Sequence, residues 1–490
     1  MEACCRLAPC VALAIVLPTI SAWADDAPRF ERALPLNRFS ASRQVQTDSD
    51  GFYRMPTAVE DDYFDATSPI ERVKRHFAVA RRVGAAYFRC GFTWNAIERE
   101  PGKYDWTFWD NLVRTAEQNH IPLIPYVAYP PKWAVASESE FWKQPPRDPQ
   151  IYGDFMYTIA ARYRGRVAAW EIWNEPDNHD YWTGTVDQFA PLVTFAAKRI
   201  READPHAVLV LGGLSYGAGP FFQRLINDYH VDRYVDVIAL HAYPETWSNE
   251  RAETVFQQWI PAVWDALTRD QSGVDLWVNE MGYADYRYRS NQASIYGVSV
   301  YYRGEHTSQY QAQMLFKFEV MALGSGHVSL SGWYRIDDFP STEKRLGPDA
   351  VNYHLGLFDP SGRPKPAFRA LRFFNRLFSR PTRRVPARVG RPGSSQSVVD
   401  LFERVDGRFL MVGWLRSPLP AEVSDQSGML EDRRSENISL DLPCARPKLE
   451  GYFDAEGRHV RSAARLVKHS LEGMTLRDGH VLIVEFRCPQ

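Results

Sequence analysis

Two glutamates close short apolar runs in this chain. Glu175 ends Trp170-Glu171-Ile172-Trp173-Asn174-Glu175, just before Pro176, and Glu280 ends Leu276-Trp277-Val278-Asn279-Glu280. Carboxylates at the ends of strands are suited to paired work. If one stays protonated and the other ionised, at a separation of about 5 to 5.5 Å, the acid can protonate a leaving oxygen while the carboxylate attacks an acetal carbon. That division requires surroundings that push the two pKa values apart. The dipeptide alone carries little: Asn249-Glu250 repeats it in a polar connection. Placement separates the three. Glu171 shares a strand face with Trp173 and reads as a buried, hydrogen-bonded structural carboxylate.

The elements that must hold these groups alternate from about residue 68 onward. Ser68-Pro69-Ile70-Glu71 has the residues of a helix start and capping box, and the helix is expected to stop at Gly84. Strand patterns follow at 85–94, 121–129, 167–175, 207–215, 235–243, 274–282 and 327–335, with helical patterns between them. Thr185-Val186-Asp187-Gln188 opens a helix whose buried face is Phe189, Leu192, Val193, Ala196 and Ile200; Ser308 to Gln311 cap another, and Pro366 to Phe378 form a closing helix. Such alternation implies parallel strands joined by right-handed crossovers. An eighth strand is expected before Ser68, around Gly51 to Met55. The expected fold is α/β, a (β/α)8 TIM barrel over residues 25–378 with an N-terminal extension. An open doubly wound sheet lacks its glycine-rich turn here. At about 30 to 40 residues per unit, a spacing of 105 residues puts Glu175 and Glu280 on the fourth and seventh strands, across the mouth. Residues 379–397 read as a linker rich in Arg, Pro, Gly and Ser, and 398–490 as a small C-terminal antiparallel β-sandwich domain.

Composition narrows the partners. A formal net charge of -2 in 490 residues leaves no electrostatic footprint for nucleic acid or an anionic membrane, and the 15 Trp residues suit sugar faces as well as core. Residues 1–24, with Arg6, an apolar stretch from Val11 to Ile20 and Ala22-Trp23-Ala24, read as a cleaved signal peptide, implying a periplasmic or secreted protein without a membrane anchor. In that setting Cys444 and Cys488 are expected to pair, and Cys90 reads as a buried small hydrophobe.

The runs WEIWNEP at 170–176, LWVNEMG at 276–282 and FRCGFTWNAIEREPGKYDW at 88–106 resemble clan A glycoside hydrolases, family 39 most of all, over roughly residues 65–378. The resemblance implies a retaining glycoside hydrolase acting on β-linkages of an oligo- or polysaccharide by double displacement, with Glu175 as acid/base and Glu280 as nucleophile. It further implies that Asn174 bonds the hydroxyl beside the reacting carbon, that Arg89 and Tyr243 orient Glu280, that His241 lines the site, and that Trp333 stacks on the sugar. Strict strand alternation would point Asn174 and Glu175 to opposite sides, so a bend or bulge is required there. Asn279 departs from the small residue, often Thr, that family members carry before the nucleophile.

Other readings exist. Gly213-Leu214-Ser215-Tyr216-Gly217 matches the nucleophile elbow of serine esterases, without an oxyanion-hole motif or a clear triad. A noncatalytic polysaccharide-binding protein would have no need of both glutamates. No cofactor is expected and no metal, because no His-x-His stands at a strand end.

Overall fold

The computed structural model describes residues 50–63, 66–269, 273–287, 297–298, 300–340, 350–390, 396–416 and 434–488. The expected signal peptide lies outside them. Eight parallel strands close into a barrel: β1 Thr57–Glu60, β2 Tyr87–Thr93, β3 Leu123–Ala128, β4 Trp170–Ile172, β5 Leu209–Leu214, β6 Val237–Ala242, β7 Asp275–Met281 and β8 Val328–Tyr334. After them in turn come the principal helices α1 Ile70–Val83, α2 Thr107–Asn119, α3 Pro149–Arg162, α4 Val186–Ala203, α5 Pro220–Asn227, α6 Ile260–Arg269, α7 Ser308–Ser325 and α8 Pro366–Leu377. Helix α1 ends at Gly84 with φ 78°, where a residue without a Cβ meets no steric penalty. Helix α4 starts on the Thr185/Gln188 capping box and buries the five apolar residues expected of it. Helix α7 is capped by Thr307, whose side chain accepts from the Tyr310 N–H, one residue earlier than the sequence suggests.

The first strand is displaced from its expected place. Residues Thr57–Glu60 pair with both β2 and β8, whereas Tyr53 pairs with Thr382 outside the barrel. The segment from Gly51 to Met55 thus starts a different sheet contact. The physical reason is register: Glu60, not Met55, must stand level with Arg89 of β2 and Tyr334 of β8 to close the ring.

The segment expected as a linker also carries structure. β9 (Thr382–Val385) and β10 (Arg388–Gly390) lie within it, followed by β11 Ser397–Arg404, β12 Arg408–Leu415, β13 Ser435–Asp441, β14 Lys448–Phe453, β15 Arg465–Val467, β16 Ser470–Arg477 and β17 Leu482–Arg487. They form antiparallel sheets ordered β10-β13-β16-β15 and β14-β17-β12-β11-β9. Apolar residues from both, Leu401, Met411, Leu440, Met474 and Val484 among them, make a core between the sheets. Cys444 and Cys488 are disulfide-bonded, and Cys90 is a buried free thiol. The β-region is fused to the barrel: Phe373 of α8 meets Phe453 at 5.6 Å and Phe378 meets Phe402 at 5.4 Å between ring centroids. Trp414 donates to Glu253 at 2.9 Å, so a continuous buried surface crosses the junction.

Candidate active site

Inside the barrel, side chains stack in layers because every second residue of a strand points inward. The lower layer is apolar, with Ala58, Tyr87, Ile124, Val210, Ala239, Trp277 and Leu330. One step nearer the C-terminal ends of the strands stand Glu60, Arg89, Tyr126, Glu171 and His241, all buried. An apolar plug thus supports a charged floor, at the end where barrel enzymes keep their chemistry.

Arg89 organises that floor. Its guanidinium donates to Glu171 at 2.8 and 2.9 Å, to Glu60 at 2.5 Å, to Glu280 at 2.5 Å and to the Asn174 side-chain amide oxygen at 2.7 Å, and it lies 4.6 Å from the Tyr126 ring centroid. One cation faces three carboxylates. Burial drives Glu60 well above the ordinary carboxylate range, with Glu280, Asp62 and Glu171 adding to the effect against the pull of Arg89. Glu171 falls despite burial, because Arg89, His241 and the Gly213 N–H favour its charge. Burial thus disfavours charge on Glu60, while Arg89 favours charge on Glu171.

Glu280 reaches the mouth through a bulge. The β6–β7 register runs from Ala239↔Trp277 to His241↔Glu280, three residues on β7 against two on β6. The extra residue lets neighbours Asn279 and Glu280 both serve the interior. Asn279 donates to Glu171 at 2.9 Å, and Tyr243 donates to Glu280 at 2.5 Å. Burial raises Glu280, and His241, Arg89 and the Tyr243 hydroxyl oppose that rise.

The end of β4 solves the same problem by bending. The ladder stops at Ile172, and Trp173 and Glu175 take φ of 72° and 46°. Left-handed backbone at such residues costs of order 1–3 kcal/mol each and persists where surroundings enforce it. The turn is pinned by the Glu175 N–H to Gly213 carbonyl bond, and by Asp177, whose carboxylate accepts from the N–H groups of Ser215 and Tyr216 at 2.9 Å each. Asn174 thereby stays on Arg89 while Glu175 turns to His241 Nδ1 at 2.7 Å and accepts from Asn178 at 3.0 Å. Burial pushes the Glu175 carboxyl up to about 7. It also lowers His241, against the pull of Glu280 and Glu171. His241 fits because position 213 is glycine: a Cβ there would stand 1.9 Å from its Nε2. Ligand-type atoms of Glu175, His241 and Glu280 all lie within 4.8 Å of one another. Arg89 bonds Glu280, and Asn178 and His241 bond Glu175, an arrangement suited to proton transfer.

Six expected site residues converge: Glu175, Glu280, Asn174, His241 and Tyr243 at the mouth, with Arg89 beneath. Arg89 is 0% exposed, so its place is to position Glu280 and Asn174, not to touch a ligand. Trp333 is corrected. It is fully buried and its ring lies 6.3 Å from Phe318 of α7, on the outer face of β8, since Gly332 and Tyr334 take the inward positions. Tyr334, half-buried and within 6.4 Å of Tyr243, is the aromatic that the mouth presents. The esterase reading fails at Ser215: its N–H is tied to Asp177, and among the described residues no histidine bonds its hydroxyl. Glu60, Asn178, Asp177 and Tyr129 were missed from sequence. Only Asp177 and Asn178, directly after the Asn-Glu-Pro run, carried a positional signal. The Trp142 ring lies 5.6 Å from Tyr129 and 6.3 Å from Tyr181 between centroids, edge to face.

Among solved structures, a family 39 glycoside hydrolase from Bacteroides cellulosilyticus superposes with a TM-score of 0.65 at 17% identity, covering 88% of this chain and 81% of its own. A monomeric beta-xylosidase from Caulobacter crescentus gives 0.58 at 15% identity, covering 89% and 96%. At such identities these are likenesses of fold. In sequence, endo-1,4-beta-xylanase 3 of Hypocrea jecorina is 25% identical over 194 residues, 37% of this chain and 49% of that protein. Beta-xylosidase of Caldicellulosiruptor saccharolyticus is 23% identical over 255 residues, 48% and 47% of the two chains. The chain thus spans about half the length of the curated relatives it matches. The model for glycosyl hydrolases family 39 matches residues 51–385, which takes in the whole barrel and well over half the sequence, and the chain belongs to that family, within clan A.

Proposed function

We propose that this protein is a retaining glycosidase acting on β-linked sugars. The observation that carries the reading is the approach of carboxylate oxygens of Glu175 and Glu280, from β4 and β7, to within 4.8 Å. So close an approach favours double displacement over inversion, which needs carboxyl groups about 6.5–9.5 Å apart to admit water. In the first step Glu280 attacks the anomeric carbon, the bond to the leaving oxygen breaks, and Glu175 delivers its proton to that oxygen. In the second, Glu175 takes a proton from water as the water oxygen displaces Glu280, and the sugar leaves with its original configuration. A carboxyl pushed up to about 7 by burial can hold the required proton near neutrality.

The names of the sequence relatives make a β-xyloside the first probe. Export follows from the expected signal peptide and fits an extracellular or envelope polysaccharide as the natural substrate. Proton NMR of the xylose first formed from 4-nitrophenyl β-D-xylopyranoside tests the reaction class. A β-configured product before mutarotation supports retention, and an α-configured one rejects it.

A further inference from the structure

Two adjacent carboxylates follow β1, and they are treated in opposite ways. Asp61 points outward, where it accepts from Arg72 at 3.1 Å and from Arg335 at 2.5 Å and faces His76. Asp62 has the parity of Glu60 and points inward, one layer above it. Its single hydrogen bond among the described residues is from the Tyr126 hydroxyl, at 2.7 Å. No cation forms an ion pair with it there, although it is only 7% exposed. Burial raises its pKa.

Its neighbours locate it. The Tyr126 ring carries the Arg89 guanidinium that holds Glu280 and Asn174. The charge of Asp62 acts on Glu60, Tyr129 and Tyr334, and the last two also feel Glu280. Asp62 thus shares the mouth with the reacting pair while bonding to neither. Within the ring of strands, β1 sits two places from β7 and three from β4, so it lies away from the acid that serves the leaving group. A buried carboxylate without a charged partner is unfavourable unless a ligand supplies donors.

Resting on the glycosidase reading, we infer that Asp62 is a specificity-determining residue that accepts a hydrogen bond from a hydroxyl of the glycone sugar, the one retained on the enzyme. The oxygen not used by Tyr126 takes the proton of that hydroxyl. The site therefore selects a neutral glycone with a free hydroxyl remote from the reacting carbon, and a glycone carrying its own carboxylate is repelled.

The test uses 4-nitrophenyl β-D-xylopyranoside with its 3-deoxy and 4-deoxy analogues on wild type, Asp62→Asn and Asp62→Ala. Loss of a hydroxyl bonded to a charged group should lower wild-type kcat/KM by about 10- to 100-fold for one of the two analogues. Asp62→Asn, which keeps an acceptor for Tyr126, should shrink that one penalty to a few-fold, and Asp62→Ala should erase it while sparing the other. Asp62→Asn should melt no lower than wild type, and Asp62→Ala, which leaves the buried Tyr126 hydroxyl without its acceptor, somewhat lower. Deoxy penalties unchanged by either variant, in an enzyme that cleaves the parent glycoside, would overturn this role and leave the activity standing. A wild type inert toward the parent would instead bring down the β-xyloside reading, and this inference with it.

Discussion

The ends of β4 and β7 bring the same residue to the same opening by different means. At β7 a bulge delivers Glu280 into contact with a buried guanidinium and a phenol, donors that favour its charged form. At β4 a left-handed turn delivers Glu175 to an amide and an imidazole, and burial pushes its carboxyl up to about 7. The two carboxylates differ less in depth than in what faces them. Burial raises both, and the guanidinium and phenol in direct contact with Glu280 oppose that rise on the side where a nucleophile must be charged.

The strongest way to break this contrast is to remove the proton donor. Glu175→Gln should reduce kcat/KM by about 10²- to 10⁴-fold for substrates with poor leaving groups, and far less for activated aryl glycosides. The upper limb of the pH profile should vanish with it; a limb that persists would assign that titration elsewhere. Next in size is the cation. Arg89→Met leaves Glu171 and Glu280 without their buried partner, and breaking such a pair costs about 3–5 kcal/mol, readable as a lower denaturation midpoint in urea. Stability within error of wild type would mean that the floor is not held by Arg89.

Tyr243→Phe sharpens the β7 side. Loss of one hydroxyl bond to a carboxylate is worth about 1.5–3 kcal/mol. Because that bond favours ionised Glu280, its removal should raise the pKa and move the acid limb of the profile to higher pH. Movement to lower pH would contradict the assignment. The smallest effect belongs to Asn178→Ala. Its amide lowers the Glu175 pKa, so truncation should carry the alkaline limb to higher pH by a fraction of a unit. Each limb belongs to the coupled pair, so the shifts must be compared between variants.

The barrel was readable through the apolar period of its βα units and some caps: Thr185 with Gln188, and Gly84, do in the structure what their types suggest, whereas the box expected at Ser68 and Glu71 does not form, because the first helix has Pro69 at its N-cap. Where patterns are short, reading faltered. β1 is four residues of Thr-Ala-Val-Glu, whose identity as a strand comes from pairing with β2 and β8 and not from its own composition. The stretch rich in Arg and Pro after α8 hides two strands because sheet contacts, not local propensity, make them. At the site, strand-end placement revealed both glutamates. Parity did not follow from sequence: the bulge in β7 is invisible there, and Trp333 and Tyr334 exchange places through a one-residue difference in facing. Asn279, an apparent departure from the family pattern, has its explanation in the bond to Glu171.

The central claim is the division of roles between Glu280 and Glu175, and azide tests it most directly. With Glu280→Ala, azide can enter the space beside the anomeric carbon and displace a good leaving group once, giving a glycosyl azide of inverted configuration. With Glu175→Ala, Glu280 still forms the glycosyl-enzyme from an activated substrate, and azide then displaces it, giving retained configuration. Proton NMR of the two azides is expected to show an α-product from the first variant and a β-product from the second when the substrate is an activated β-xyloside; the reverse pairing would exchange the roles, and rescue of neither folded variant would contradict the pair as the catalytic machinery.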